Sequence, residues 1–225
     1  MSLAFYRKYR PKKFGDLVGH DDLRAAIQGA AREDKFSHAY LFYGSRGTGK
    51  TTVARLIAKS ANCETRKNDP VFKAQGEPCN ACRICDEIDR GAALDVIEID
   101  AASNRGIDEI RELKEGIKLS PISYSKKVFI IDEMHMLTRE AANALLKTLE
   151  EPPAHAILVL ATTEYDKIPA TILSRTQRFH FKRLPVAQII IKLNRIIEAE
   201  NLKIKPEAVE FVASAAEGSL RDAES

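Results

Sequence analysis

The segment Gly44-Ser-Arg-Gly-Thr-Gly-Lys-Thr51 constrains the fold of this chain most, because it matches the pattern G-x-x-x-x-G-K-[ST]. It follows the apolar run Ala39–Tyr43 and precedes apolar residues at helical spacing from Val53 onward. Glycines let several backbone N–H groups point at one anion, and a following helix adds its positive N-terminal end. The motif therefore predicts a phosphate-binding loop. Its predicted nucleotide-binding residues are Gly44, Ser45, Arg46, Gly47, Thr48, Gly49, Lys50, Thr51 and Thr52.

Strand patterns alternate with helical patterns through most of the chain. Because the strand patterns are continuous apolar runs, they predict a parallel sheet covered by helices on both faces, which is an α/β fold. We expect this domain over residues 1–184 and a small all-α domain over residues 185–225. The predicted strands are Ala39–Tyr43, Asp95–Asp100, Lys127–Asp132, Ile157–Thr162 and Gln177–Phe181. The predicted apolar face of the last long helix contains Val209, Phe211, Val212 and Ala216.

An acidic pair, Asp132 and Glu133, follows the apolar strand pattern at Lys127–Asp132. Ligands of open α/β sheets bind at the carboxyl ends of the strands. We therefore expect Asp132 and Thr51 to hold Mg²⁺, Lys50 to contact the β- and γ-phosphates, and Glu133 to polarise the attacking water. For an acidic pair alone the alternative is a solvated strand end.

His135 follows this acidic pair and has the chemistry of a catalytic base. Glu133 already has that predicted role. We therefore expect His135 to be packed or hydrogen-bonded rather than catalytic.

Four cysteines, Cys63, Cys79, Cys82 and Cys85, fall within one short segment. In a reducing compartment such clustering indicates a metal rather than disulfides. Four thiolates suit a closed tetrahedral Zn²⁺ site, so we expect a structural zinc module at about residues 62–90. An iron–sulfur cluster and free thiols remain alternatives, because C-x₂-C-x₂-C also binds such clusters.

The composition excludes a membrane-spanning chain, because no apolar stretch is long enough to cross a bilayer. No secretory h-region opens the sequence, so we expect a cytoplasmic protein. The net charge of +3 permits a nucleic-acid partner without requiring one. The sequence ends shortly after a new helical pattern begins, and we expect it to be a fragment of a longer protein.

Further segments resemble the AAA+ ATPases, and within them the gamma/tau clamp-loader subunits of bacterial DNA polymerase III. The resemblance covers essentially the whole chain. Asn143–Pro153 and the cysteine cluster are its most specific features. The segments that carry the resemblance, besides the phosphate-binding loop, are Arg7-Lys-Tyr-Arg-Pro11, Phe14-Gly-Asp-Leu-Val-Gly19, Glu98-Ile-Asp-Ala-Ala-Ser103, Asp132-Glu-Met-His135, Asn143-Ala-Leu-Leu-Lys-Thr-Leu-Glu-Glu-Pro-Pro153, Leu160-Ala-Thr-Thr163, Ile172-Leu-Ser-Arg175 and Glu217-Gly-Ser-Leu-Arg-Asp222.

The resemblance implies roles for three residues that spacing alone leaves ambiguous. Thr163 resembles the first sensor, which holds the attacking water, and Arg221 resembles the second sensor of the helical lid. Arg175 resembles the arginine finger that reaches the ATP of a neighbouring subunit, so hydrolysis depends on assembly. On spacing alone, both arginines are typical of surface residues. The residues implied for the adenine pocket are Arg10, Val18 and Gly19.

The resemblance also implies partners: other clamp-loader subunits in a hetero-oligomeric ring, a sliding clamp and primed DNA. Relatives carry basic residues just after the Ala-Ala-Ser turn, where this chain has only Arg105. Lys147 matches another phosphate-contacting position, so we expect DNA contact that is weaker than in relatives. Ser174-Arg175-Thr176 replaces the usual Ser-Arg-Cys but keeps the arginine.

We therefore expect an ATPase subunit that loads a sliding clamp and is not itself the polymerising subunit. The expected cofactors are ATP or ADP, Mg²⁺ and structural Zn²⁺. One alternative is a nucleotide-binding structural subunit without hydrolysis, and we expect little turnover from the fragment alone. Another AAA+ machine, such as a branch-migration helicase, is the second alternative, and the four-cysteine insertion argues against it.

Overall fold

The computed structural model describes residues 4–104 and 107–225. Within these residues five parallel strands form one sheet in the order β2-β3-β4-β1-β5. The predicted α/β architecture with a parallel five-stranded sheet is thus confirmed. The strands are β1 (Ala39–Gly44), β2 (Val96–Asp100), β3 (Lys127–Asp132), β4 (Ala156–Thr162) and β5 (Gln177–Phe181).

Helices precede, separate and follow the strands. They are α1 (Phe5–Lys8), α2 (Asp21–Glu33), α3 (Lys50–Asn62), α4 (Glu64–Asn68), α5 (Pro70–Lys73), α6 (Arg83–Arg90), α7 (Ile107–Lys118), α8 (Arg139–Glu150), α9 (Ala170–Leu173), α10 (Val186–Ala199), α11 (Pro206–Ala215) and α12 (Leu220–Ala223). Short 3-10 turns lie at Phe14–Asp16, Met134–Met136 and Tyr165–Lys167. In the described part of the chain, no helix has both the length and the apolar character that crossing a bilayer requires.

The sheet is packed on both faces because side chains of a strand alternate between them. Tyr40 and Phe42 of β1 face α2, α3 and α6, where Ile57 belongs to the same apolar cluster. Leu41 faces α7 and α8, where it shares a second cluster with Leu145. Thr138 caps α8 as predicted, since its Oγ1 accepts a 3.2 Å hydrogen bond from the Ala141 N–H.

The C-terminal helices α10, α11 and α12, called the lid helices below, pack around a separate apolar cluster. Val209, Ala213 and Ala216 form the buried face contributed by α11 and its C-terminal end. The predicted burial of Phe211 and Val212 is wrong, because these side chains are 74% and 41% exposed. Steps of four and three residues return to one helix face, whereas Phe211 is two residues from Val209 and points away from it.

Strand β2 begins at Val96, one residue later than predicted, and Asp95 has a different structural role. Its side chain is fully buried, and its carboxylate accepts backbone hydrogen bonds from Ile122, Ser123 and Tyr124 at 2.8, 2.8 and 2.9 Å. One carboxylate therefore fixes the loop that leads into β3. The position of β3 matters because this strand carries the acidic pair.

We predict that Asp95→Ala lowers the free energy of unfolding by about 3 kcal/mol, because three buried N–H groups lose a charged acceptor. Chemical denaturation of the chain measures this change. Asp86→Ala is the matched control, since it removes an exposed carboxylate paired with Arg90 and should cost less than about 1 kcal/mol. Equal effects of the two substitutions would contradict the assigned role of Asp95.

Candidate nucleotide-binding site

A cleft of about 960 Å³ lies at the carboxyl ends of β1 and β3. The loop after β1 forms its floor, and residues of α10, α12 and the N-terminal segment face that loop. The lining residues used below are Tyr6, Arg10, Val18, Gly47, Thr48, Gly49, Lys50, Thr51, Thr52, Asp132, Glu133, Lys192, Arg221 and Glu224. The structure thus brings most of the predicted nucleotide-binding residues to one place.

The loop between β1 and α3 is tightly packed at two glycines. A Cβ on Gly44 would lie 2.1 Å from the carbonyl oxygen of Phe181, and one on Gly47 would lie 2.0 Å from Oγ of Ser219. Both glycines also have positive φ values of 139° and 75°. Only glycine satisfies these conditions, so the loop can run between β5 and the lid helices. The thirteen-residue helix α3 then starts at Lys50 with its N-terminus at the cleft.

Lys50, Thr51 and Asp132 form the polar centre of the cleft. The Lys50 side chain is buried, and Nζ donates to the carbonyl oxygens of Gly44 and Ser45 at 2.7 and 2.8 Å. Burial lowers the pKa of Lys50, while the carboxylates of Glu133 and Asp132 act in the opposite direction. Thr51 Oγ1 donates a 2.8 Å hydrogen bond to Asp132 Oδ2. This pair supplies two adjacent oxygen ligands of the kind that Mg²⁺ prefers.

Glu133 meets Thr163 at the ends of β3 and β4. The Glu133 backbone is left-handed, with φ 49° and ψ 44°. Its Oε2 accepts hydrogen bonds from Thr163 Oγ1 at 2.8 Å and from Thr163 N–H at 3.3 Å. The residues predicted as base and first sensor are therefore in direct contact.

His135 is hydrogen-bonded, as predicted, and its side chain is only 6% exposed. Its Nδ1 lies 3.0 Å from Thr162 Oγ1, and its Nε2 lies 3.1 Å from Glu164 Oε1. The imidazole therefore links the turn after β3 to the end of β4.

The two arginines implied by the resemblance occupy different surroundings. Arg221 lines the cleft, with its Cζ 5.1 Å from the centroid of the Tyr6 ring, a cation–π arrangement. Arg175 does not line the cleft. Its guanidinium binds Glu150 Oε1 at 2.7 Å and the Thr171 carbonyl oxygen at 2.7 Å. Arg221 is thus placed to contact a ligand of its own chain, and Arg175 is not.

The residues implied for the adenine pocket lie beside the lid helices. Arg10 and Val18 line the cleft, and burial lowers the pKa of the Arg10 guanidinium. Gly19 has a φ of 69°, and a Cβ there would lie 2.4 Å from Cδ2 of Leu184. Gly19 therefore allows close packing against Leu184 and lies next to the cleft rather than among its lining residues.

Sequence reasoning missed Tyr6, Lys192 and Glu224, which also line the cleft. Lys192 Nζ donates a 3.0 Å hydrogen bond to the Tyr9 carbonyl oxygen, and burial raises the pKa of Glu224 to about 7. Lys192 sits on the apolar face of α10 next to Leu193. A lysine on an apolar helix face is the sequence signal that could have identified Lys192. The sequence carries no comparable signal for Tyr6 or Glu224.

The four cysteines converge beside α3. Their sulfur atoms all lie within 4.8 Å of one another, and the Sγ atoms of Cys79 and Cys85 are 4.0 Å apart. A tetrahedral zinc site with Zn–S bonds of about 2.3 Å separates its sulfurs by about 3.8 Å. Backbone N–H groups also point at the sulfurs, such as Cys82 N–H to Cys79 Sγ at 3.2 Å. A hydrogen bond between the Cys63 and Cys85 thiols lowers the pKa of Cys63 and raises that of Cys85, as expected for two sulfurs that share one proton.

The structure describes one of the two basic residues implied for DNA contact. Lys147 is exposed on α8 and is accessible to a partner. Arg105 lies outside the described residues.

Comparison with known proteins gives a consistent result along the chain. Residues 19–185 match the family described as "DNA polymerase III, delta subunit". Residues 188–225 match the family described as "DNA polymerase III clamp loader subunit, ATPase lid domain".

Two similar curated proteins are named "DNA polymerase III subunit tau". The one from Bacillus subtilis (strain 168) is 52% identical over 220 residues, which is 98% of this chain and 38% of the relative. The one from Escherichia coli (strain K12) is 47% identical over 217 residues, which is 96% of this chain and 33% of the relative. The chain thus spans about a third of the length of the curated relatives it matches.

A similar solved structure is the Thermotoga maritima RuvB Holliday junction branch migration motor, with a TM-score of 0.67. It is 18% identical, and the superposition covers 96% of this chain and 63% of that one. At this identity the likeness shows the AAA+ fold alone. The sequence families, together with this fold, establish that the chain belongs to the DNA polymerase III clamp-loader subunit family of AAA+ proteins.

Proposed function

We propose that this chain is the ATP-binding and ATP-hydrolysing module of a DNA polymerase III clamp-loader subunit. The whole protein uses ATP to load a sliding clamp onto primed DNA in the cytoplasm and does not polymerise DNA itself. The observation that carries the proposal is the cluster of Lys50, Thr51, Asp132 and Glu133 in one cleft at the end of the sheet. A nucleotide-binding subunit without hydrolysis has no need of Glu133 held against Thr163.

In the proposed binding step, the triphosphate lies along the loop from Gly44 to Thr52. Backbone N–H groups, the N-terminus of α3 and the Lys50 ammonium supply positive charge there. The neutral carbonyl partners of Lys50 are weaker than phosphate oxygens, so Lys50 can exchange them for charge-assisted bonds. Mg²⁺, when bound through Thr51 and Asp132, neutralises charge on the phosphates.

In the proposed hydrolytic step, Glu133 takes a proton from the attacking water, and Thr163 holds Glu133 in position. Arg221 contributes charge from the lid of the same chain, where it already lines the cleft. Arg175 lies outside this cleft and serves the ATP of a neighbouring subunit in a ring. A fragment of residues 1–225 therefore binds ATP but turns it over slowly.

The proposed division of labour follows the domains, residues 1–184 for nucleotide binding and residues 185–225 for the lid. Two connections between the lid and the loop support it. Ser219 lies directly against Gly47. Arg183, at the domain boundary, donates hydrogen bonds to Ser45 Oγ at 3.3 Å and to the Glu217 carbonyl oxygen at 3.2 Å. A nucleotide on the loop therefore touches both domains. Lys147 on α8 and Arg105 remain the proposed DNA-contacting residues.

We propose a structural zinc ion for the cysteine module at about residues 62–90. The sulfur spacing supports zinc over an iron–sulfur cluster, because a cluster binds its cysteines through different irons and needs them farther apart. Lys59 of α3 ties this module to the nucleotide site. Its buried Nζ contacts Asn80 Oδ1 at 2.8 Å and Asp89 Oδ1 at 2.6 Å.

We predict that the full-length protein, assembled with its partner subunits, hydrolyses ATP faster when primed DNA and a sliding clamp are both added. Lys50→Ala should abolish this stimulation and weaken ATP binding on the order of 100-fold, because two charge-assisted bonds of about 1.5 kcal/mol are lost. Lys203→Ala, on an exposed lid loop, is the control. A hydrolysis rate that does not change when DNA and clamp are added would contradict clamp loading. An unchanged affinity of Lys50→Ala for ATP would contradict nucleotide binding in the cleft.

We predict that substitution of Arg221 lowers the affinity for ATP, whereas substitution of Arg175 lowers turnover. Arg221→Ala should weaken ATP binding to the isolated chain about 10-fold, as one charge-assisted contact is lost. Arg175→Ala should leave that affinity unchanged but lower turnover of the assembled complex on the order of 1000-fold. Calorimetry and steady-state hydrolysis measure the two quantities. Arg178→Ala, an exposed arginine of β5, should change neither. Weaker binding by the isolated Arg175→Ala chain would refute the role in a neighbouring site.

We predict about one zinc ion per chain in protein purified without added metal, measured by elemental analysis. Cys79→Ser should lower the zinc content and reduce Tm by roughly 5–10 °C, because the loop loses the metal that holds it. Ser120→Ala, in an exposed loop, should change neither. Iron in place of zinc, or four free thiols with an unchanged Tm, would disprove the zinc assignment.

A further inference from the structure

His135 is buried between the residue proposed as the general base and the surface of the protein. We propose that His135 is a positioning residue that holds the Glu133 carboxylate against Thr163 at the edge of the cleft. The inference rests on the proposed function and adds a residue to its hydrolytic step. His135 itself is not among the residues that line the cleft.

One oxygen of the Glu133 carboxylate has three close partners. Oε2 accepts hydrogen bonds from the Thr163 hydroxyl and N–H, and His135 Nδ1 lies 3.4 Å from the same oxygen. In the described part of the chain, these three contacts all use Oε2, and the Glu133 side chain lines the cleft. A base with one oxygen held in this way is aligned before its substrate arrives.

The imidazole ring of His135 is itself fixed on both sides. The Glu164 carboxylate can only accept, so Nε2, at 3.1 Å, carries the proton of this contact. Nδ1 is paired with the Thr162 hydroxyl at 3.0 Å, and that hydroxyl also accepts the Glu164 N–H at 3.0 Å. With 6% of its side chain exposed, His135 has little freedom to rotate. The Nδ1 edge of the ring, called the imidazole wall below, therefore blocks movement of Glu133 Oε2 away from Thr163.

The Glu133 side chain is less enclosed by the protein than the imidazole ring beside it. Glu133 lies between the end of β3 and a 3-10 turn, in the left-handed region at φ 49°. Its side chain is 28% exposed, whereas that of His135 is nearly buried. Without the imidazole wall, the carboxylate can swing away from Thr163 into the space that the ring occupies. A displacement of about 1 Å at a catalytic group costs on the order of 100-fold in rate.

Amide isosteres separate the two edges of the ring in an experiment. Asn can place its amide oxygen near the position of Nδ1, where it accepts from the Thr162 hydroxyl as Nδ1 does, and Gln places its amide nitrogen near the position of Nε2. His135→Asn therefore keeps the edge that faces Thr162 and Glu133, whereas His135→Gln keeps the edge that faces Glu164. Glu164→Gln is the matched control, because it weakens the outer contact and leaves the inner wall in place.

The experiment uses the full-length protein assembled with its partner subunits and measures kcat, KM, the Kd for ATP and Tm. We expect His135→Ala to lower kcat between about 10-fold and 100-fold while the Kd for ATP stays within about twofold. His135→Asn should recover most of the lost kcat. The kcat of His135→Gln should stay close to that of His135→Ala, and the kcat of Glu164→Gln should stay close to wild type. If His135→Ala does not fold, the Asn and Gln variants still decide the question.

A second comparison asks whether His135 acts through Glu133. In a Glu133→Gln background, His135→Ala should change the residual rate by less than about threefold, because residues that act as a unit are not additive. The inference is overturned if His135→Ala has a wild-type kcat, or if it lowers the rate by the same factor in the wild-type and Glu133→Gln proteins. It is also overturned if His135→Gln, rather than His135→Asn, recovers the lost kcat. If Glu133→Gln itself keeps the wild-type rate, Glu133 is not the general base. That part of the proposed function is then wrong, and so is this inference.

Discussion

The rest of the site depends on the hydrogen bond between Thr51 and Asp132, which joins the first turn of α3 to the last residue of β3. Strand β4 lies between β1 and β3, and the register aligns Tyr43 with Thr162 and Ile131 with Leu160. The carboxyl ends of the three strands are therefore nearly level, and the loops after them meet at one edge. The phosphate-binding loop, the acidic pair and Thr163 come together for this reason, although they are far apart in the sequence.

The three cations expected to meet phosphate oxygens are each held by a different kind of partner. Lys50 binds backbone carbonyls, Arg221 stacks on an aromatic ring, and Arg175 pairs with the Glu150 carboxylate. The first two partners are neutral, and both of these cations line the cleft, so a polyanion can replace the partners at modest cost. The third is an ion pair outside the cleft. This division separates binding, which one chain can perform, from turnover, which is proposed to need a neighbour.

Local sequence patterns predicted the sheet and the phosphate-binding loop because a continuous apolar run or a glycine pattern carries its own physical reason. These patterns failed where the contacts of a residue come from parts of the chain that are distant in the sequence. Asp95 looked like the first residue of a strand, yet it serves a loop 27 to 29 residues later. Lys192 enters the cleft because its ammonium binds the carbonyl of Tyr9, 183 residues earlier. Phe211 is apolar and exposed, so hydrophobicity alone misplaced it.

The N-terminal segment and the lid helices move together if the contacts between them persist. Lys8 and Tyr9 both bind Glu200 at the end of α10, and Lys192 binds the Tyr9 carbonyl oxygen. The wall of the cleft beside Arg10 and the lid are thus one unit, which rests on the phosphate-binding loop at Ser219 and Gly47. A ligand can shift the angle of that unit only by binding one angle better than another. Lys50 and Arg221 both line the cleft. We therefore expect a nucleotide that contacts both residues to prefer one angle, so that part of its binding energy sets the position of the lid.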